Sequence, residues 1–196
     1  MTESTVTVLG SYSVKVVKQA DKTLVRVTDI LHALGIRNKK SCFDIYTGLT
    51  RSNYRFKGQR GTESIVMTSQ NILSELIPAV RKVIREGTIY CFKPCSDNFY
   101  KFGCTSNWEK RRKAYTGLNR ISELLLLLKV KNTRLAEHNI LRWARKLMGE
   151  PKIGHEWFYC EKSKDEIHGR LREYSEEQNF CDGSEIDSVA AIVGQL

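Results

Sequence analysis

The chain has 196 residues, enough for one ordinary domain or two small ones. Hydrophobic residues make up 41% and charged residues 28%, which excludes a wholly disordered polymer. Lys plus Arg number 32 against 22 Asp plus Glu, and the resulting +10 makes a polyanion the first partner to consider.

No apolar run approaches the roughly 18 residues of a membrane span, so no membrane partner is expected. The first residues, Met1-Thr2-Glu3-Ser4-Thr5, lack the basic head and apolar centre of a secretion signal. A cytoplasmic or nuclear location follows as the expectation, and secretion does not. Cys42, Cys91, Cys95, Cys104, Cys160 and Cys181 then read as reduced thiols. Cys91, Cys95 and Cys104, with His138 or His155, leave a zinc-supported binding module as a further reading, although no tight knuckle spacing is present.

Charge divides the chain. Residues 1–85 carry +8, residues 86–160 carry +7 and residues 161–196 carry −5. Six acids and no Lys or Arg lie between Glu173 and Asp187, so residues 176–196 read as a loosely ordered acidic tail.

Taken in order, Ser13 to Gln19 and Thr23 to Val27 read as strands. Thr28 is expected to cap a short helix that Gly35 ends. A basic, aromatic stretch follows, then a strand at Glu63 to Met67. Thr68 opens a long apolar-faced helix with a kink or break expected at Pro78. Gly87 to Lys93 and Phe99 to Gly103 form a hairpin, and Ser106 with Glu109 reads as a capping box for the next helix. Ser122 to Val130 is expected to be an interior strand, because both its faces are apolar. A helix from Thr133 to about Met148, a short strand at Glu156 to Cys160 and a last helix opened by Ser163 and Glu166 complete the chain. The fold class expected is α+β. A small mixed domain over residues 1–85 precedes a compact domain over residues 86–175, in which helices flank a short central sheet.

Several residues suggest chemistry. Trp108, Arg111, Arg112 and Tyr115 share one helix face, a cationic pair between aromatics that suits a phosphate and its base. Packing of the two aromatics with outward arginines is the structural alternative, and both can hold together. Glu137 lies at the edge of an apolar helix stripe, where a carboxylate requires a cation, a donor or a raised pKa. A hard divalent cation meets that need, and so does an ordinary ion pair. Lys101, on the hairpin partner of Tyr90, is expected to lower the phenol's pKa and let it deprotonate water; a core tyrosine beside a solvated lysine is the other outcome. His155 is a candidate to orient a phosphate or water. In the first domain Arg37, Lys39, Lys40, Arg51, Arg55, Lys57 and Arg60 are interleaved with Phe43, Tyr46, Tyr54 and Phe56. That mixture supplies phosphate affinity and base stacking.

Gly87-Thr88-Ile89-Tyr90, followed by Tyr100-Lys101-Phe102-Gly103, resembles the paired signature of GIY-YIG nucleases. Arg111 stands at the position of that family's helix arginine, and Ala136-Glu137-His138-Asn139 resembles the helix whose glutamate binds metal. His155-Glu156-Trp157-Phe158 is similar to the ending of the phage and large-DNA-virus branch, which often carries Lys where Lys101 stands. The first motif departs from the family by reading Thr-Ile-Tyr, the second lacks its tyrosine in register, and Glu156 lies where some relatives have Asn. Val25 to Gly35 resembles the start of BRO-type or KilA-type viral amino-terminal domains. These resemblances imply a viral or phage DNA endonuclease dependent on Mg2+ or Mn2+. Tyr90, Lys101, Arg111, Tyr115 and Glu137 would be catalytic, Glu137 the metal ligand, and Trp108, Arg112 and His155 further DNA contacts. The departures leave a non-cleaving DNA-binding protein on the same scaffold as the alternative.

Overall fold

The computed structural model describes residues 1–37, 39–94, 98–116, 123–177 and 184–196, and their side chains except those of residues 39–41, 43, 116 and 177. The fold is α+β and divides into two compact units: Met1–Ile84 with Gly183–Leu196, and Arg85–Asp182. No helix among the described residues is long and apolar enough to cross a membrane.

Unit 1 is built on an antiparallel sheet of β1 (Thr2–Val8), β2 (Tyr12–Lys18), β3 (Thr23–Arg26), β4 (Ser52–Tyr54) and β5 (Ser64–Thr68), in the order β1-β2-β3-β5-β4. Alternation in β2 sends Val14 and Val16 to one face and Val17 to the other. The first face is covered by α1 (Val27–Ala33) and by a helical run of α3 (Ser69–Asn71), a π turn (Ile72–Leu76) and α4 (Ile77–Val83). Beyond α1 the chain also forms α2 (Lys39–Tyr46). Thr68 accepts a hydrogen bond from the Asn71 N–H and so caps α3. The break expected at Pro78 is this π turn, whose wider ring accommodates a residue that lacks an N–H and crowds the preceding turn.

Three details of unit 1 differ from the sequence expectation. Arg26, not Thr28, stands at the start of α1, and its guanidinium pairs with the buried Asp29 carboxylate at 2.5 Å. β1 extends the sheet because Thr2–Val8 pairs along its whole length with β2. Part of the expected acidic tail is ordered: α8 (Ser184–Gly194) buries Ile186, Val189 and Val193 in the unit 1 core, while Asp187 meets Arg81 at 2.5 Å, and residues 178–183 lie outside the described residues. Apolar residues at helical spacing outweigh the acids, which lie on the solvated side.

Unit 2 has an antiparallel sheet in the order β8-β6-β7-β9, formed by β6 (Gly87–Lys93), β7 (Phe99–Thr105), β8 (Glu123–Val130) and β9 (Trp157–Tyr159). Its helices are α5 (Trp108–Thr116), α6 (Thr133–Met148) and α7 (Lys164–Glu177). Ser163 accepts from the Glu166 N–H, as expected for the start of α7. At α5 the cap shifts by one residue: Asn107 Oδ1 accepts from the Lys110 N–H at 2.9 Å. Asn107 is itself set by Thr105, whose hydroxyl oxygen accepts its N–H. β8 is an edge strand and not an interior one. A bulge against Cys91 and Phe92 shifts its register, so Leu125 and Leu126 are both buried while Leu124 and Leu127 are exposed.

Candidate active site

The site is assembled on one face of the unit 2 sheet. In the β6–β7 register Tyr90 lies opposite Gly103 and Phe92 opposite Lys101, and β9 places Trp157 opposite Lys101. Residues two apart share a face, so Tyr90, Phe92, Lys101, Gly103 and Trp157 line one surface. Tyr90 requires the glycine: a Cβ at position 103 would stand 2.5 Å from the Tyr90 hydroxyl and 2.7 Å from its Cζ. Helix α5 covers this surface with aromatic rings. Trp108 lies 5.2 Å and Tyr115 6.3 Å from the Tyr90 ring, and Tyr115 is 4.8 Å from Phe92. The Tyr90 and Tyr115 hydroxyls are hydrogen-bonded at 3.2 Å. Arg111 places its guanidinium 5.8 Å from the centre of the Tyr115 ring. The aromatics of α5 therefore pack inward and hold the arginine.

Charges gather beside these rings. Lys101 is only 5% exposed, pairs with the Glu156 carboxylate, and has its ammonium 5.6 Å from the Trp157 ring centre. Backbone pairing fixes this partner, because the Phe102 N–H donates to the Glu156 carbonyl at 2.9 Å. Burial, together with nearby Arg111, lowers the Lys101 ammonium to about 8, while Glu137 and Cys104 act in the opposite direction. Cys104 lies on the opposite face of β7 from Lys101 and Gly103, and there the Glu137 carboxylate of α6 comes within electrostatic reach of its thiol. Burial and this carboxylate push Cys104 up to about 12, against the pull of Arg111 and Arg134. β9 ends its pairing with β7 at Lys101, so on that side no strand among the described residues lies along the last part of β7. Groups from both faces of the sheet come within electrostatic reach there.

Of the five residues expected to be catalytic, Tyr90, Lys101, Arg111 and Tyr115 share one face of the sheet, while Glu137 stands on α6 at the other face within electrostatic reach of Lys101. One expectation about them is overturned. Lys101 faces Phe92 rather than Tyr90 in the register, and the Tyr90 phenol is pushed well above its ordinary value. Burial is the main cause, followed by the Tyr115 hydroxyl, with Arg111 opposing. Tyr90 is consequently held as a neutral phenol. Trp108 packs on Tyr90, whereas Arg112 is exposed and meets Glu109 at 3.9 Å. His155 is exposed, next to Glu156. Glu156, noted in the sequence only where some relatives have Asn, and Cys104, considered only as a thiol or zinc ligand, stand beside Lys101 and Glu137 respectively. The run His155-Glu156-Trp157-Phe158 is the sequence signal that pointed to Glu156.

In unit 1 Arg37, Arg51, Arg55, Lys57 and Arg60 are exposed, and Lys39 and Lys40 lie on α2 with side chains outside those described. Their aromatic neighbours are less available than expected. Phe56 is 2% exposed in a small cluster with Val17, Leu24 and Val66. Tyr54 packs edge-on against Phe56 and donates to Glu3, and Tyr46 is half-buried under Arg51. Phe43 falls outside the described side chains.

The donor set accommodates a hard divalent cation in one way. Glu137 offers a carboxylate, but Lys101 and Arg111 lie close by, so a cation would be held jointly with an anionic phosphate and water. Magnesium and manganese suit that arrangement; a cage built from protein ligands alone does not. No group of three or more His, Cys, Asp or Glu that could hold a metal occurs among the described residues, and Cys95 lies outside them. No protein-family model, curated protein or solved structure matches this chain.

Proposed function

We propose that the chain is a magnesium- or manganese-dependent DNA endonuclease, with its chemistry in unit 2 and much of its DNA affinity in unit 1. One observation carries this reading: Tyr90, Lys101, Arg111 and Tyr115 come from three separate elements onto one face of the sheet, with Glu137 of a fourth within electrostatic reach of Lys101. Phosphodiester hydrolysis needs a cation for the phosphoryl oxygens, an acceptor for the proton of attacking water and an oriented nucleophile. Arg111, stacked on Tyr115, supplies the first. Lys101 is assigned the second role, because burial and Arg111 lower its ammonium to about 8. The Tyr90–Tyr115 hydroxyl pair orients the water by hydrogen bonds. Glu137 holds the metal, which when bound would polarise a phosphoryl oxygen.

A second reading, a non-cleaving DNA-binding or regulatory protein, is favoured by the Lys101–Glu156 pair, which occupies the proposed proton acceptor. Nicking of supercoiled plasmid by the full-length chain, with Mg2+ or Mn2+ and with chelator, tests both. Metal-dependent nicking supports the endonuclease. DNA binding without cleavage of plasmid, branched or single-stranded DNA supports the second reading, and absence of both activities defeats the two together.

A further inference from the structure

We infer that a groove beside the site is a second phosphate-binding site, which takes a DNA backbone phosphate flanking the one at Arg111. The inference rests on the DNA reading above and states how the strand runs across unit 2. The groove has a volume of about 510 Å³, and its walls include Glu86, Gly87, Thr88, Ser106, Lys129 and Lys131.

Its place in the sheet is set by register. Lys129 pairs across the sheet with Thr88, so it lies on the face that carries Tyr90, two residues further along β6. Two residues of strand span about 7 Å, so Lys129 lies one such step along the sheet from Tyr90 and one strand to the side. Ser106 stands immediately before the capped start of α5, the helix that presents Arg111. The groove and the candidate site are therefore contiguous parts of one surface.

The chemistry of the walls points to an anion. Lys129 and Lys131 are exposed, and neither has an ion-pair partner among the described residues. Thr88 and Ser106 add hydroxyl donors. A phosphodiester brings one negative charge and several acceptor oxygens, which ammonium and hydroxyl groups satisfy together. Glu86 is the opposing feature: its carboxylate weakens anion binding, so its removal has an effect of opposite sign to that of the lysines.

The test is fluorescence anisotropy of the full-length chain with a labelled DNA duplex, titrated with salt. Lys129→Ala and Lys131→Ala should each lower the slope of log affinity against log salt by about 1. Glu86→Gln should tighten binding, and Lys162→Ala, whose lysine is already paired with Glu166, should leave it unchanged. Unaltered melting curves show that these surface substitutions preserve the fold. If wild type binds while the double lysine variant keeps the same affinity and slope, the groove is not a phosphate site. The groove is equally excluded if Lys162→Ala weakens binding as much as either groove lysine. Failure of wild type to bind at low salt would instead overturn the DNA reading itself.

Discussion

The two units use basic residues in different ways. In unit 1 Arg55, Lys57 and Arg60 stand in water, while the neighbouring Phe56 is withdrawn into a small core. In unit 2 Lys101 is almost fully buried, and Arg111, though exposed, is stacked on the Tyr115 ring, each within reach of other charges. Solvated charges attract a polyanion at long range and supply phosphate affinity. Charges fixed in a half-buried cluster act strongly on a group that develops charge between them. On the function proposed above, much of the affinity falls to the first unit and the chemistry to the second.

The greatest change should come in unit 1 itself. Ending the chain before Ser184 removes the buried Ile186, Val189 and Val193. At about 1.5–3 kcal/mol for each buried aliphatic side chain, the loss matches a large part of a domain's stability of about 5–15 kcal/mol. Thermal unfolding should show unit 1 lost and unit 2 retained. A truncated chain that melts like wild type would return residues 184–196 to the status of a tail.

Next in size is the buried lysine. Lys101 titrates near 8 in the folded chain and near 10.5 when unfolded, so between those values the unfolded state holds the extra proton. Stability should therefore rise with pH across that window, by up to about 3 kcal/mol, and the cost of charging Lys101 is fully present below it. Lys101→Met should remove this slope from a series of denaturant melts at increasing pH. Cleavage should increase up to about pH 8 in wild type and lose that dependence in the variant. Tyr90→Phe should cost less activity than Lys101→Met, because the phenol orients and does not accept the proton. Gly103→Ala comes third: crowding the Tyr90 hydroxyl should destabilise unit 2 by roughly 1–3 kcal/mol, read as a fall in Tm.

Much of this was legible in the sequence, for reasons that differ by level. The β6–β7 hairpin and the spacing of Tyr90, Lys101, Arg111 and Glu137 are local patterns, and local patterns survive folding. The Lys101–Glu156 pair depends on which strand lies next to β7, which periodicity does not encode. The direction of the Tyr90 shift depends on burial, so a neighbouring lysine in the sequence pointed the wrong way. α8 was obscured by its acids, although Ile186, Val189 and Val193 already held helical spacing. The cap at Asn107 marks the limit of motif reading, since Ser106 and Asn107 are both good caps and only geometry chooses.

The smallest effects belong to single charges in unit 1. Arg55→Ala, Lys57→Ala and Arg60→Ala should each reduce the salt slope of DNA binding by about 1, with kcat for cleavage unchanged. A loss of kcat in these variants would dissolve the division between the units.

The most direct measurement sets cleavage rate beside DNA affinity for wild type, Arg111→Ala and Glu137→Gln, in magnesium. If the cluster stabilises the transition state, both substitutions should slow cleavage on the order of 10²-fold or more, about 3 kcal/mol, while affinity changes by only a few-fold. Equal cleavage by all three proteins would contradict the assignment of chemistry to this site.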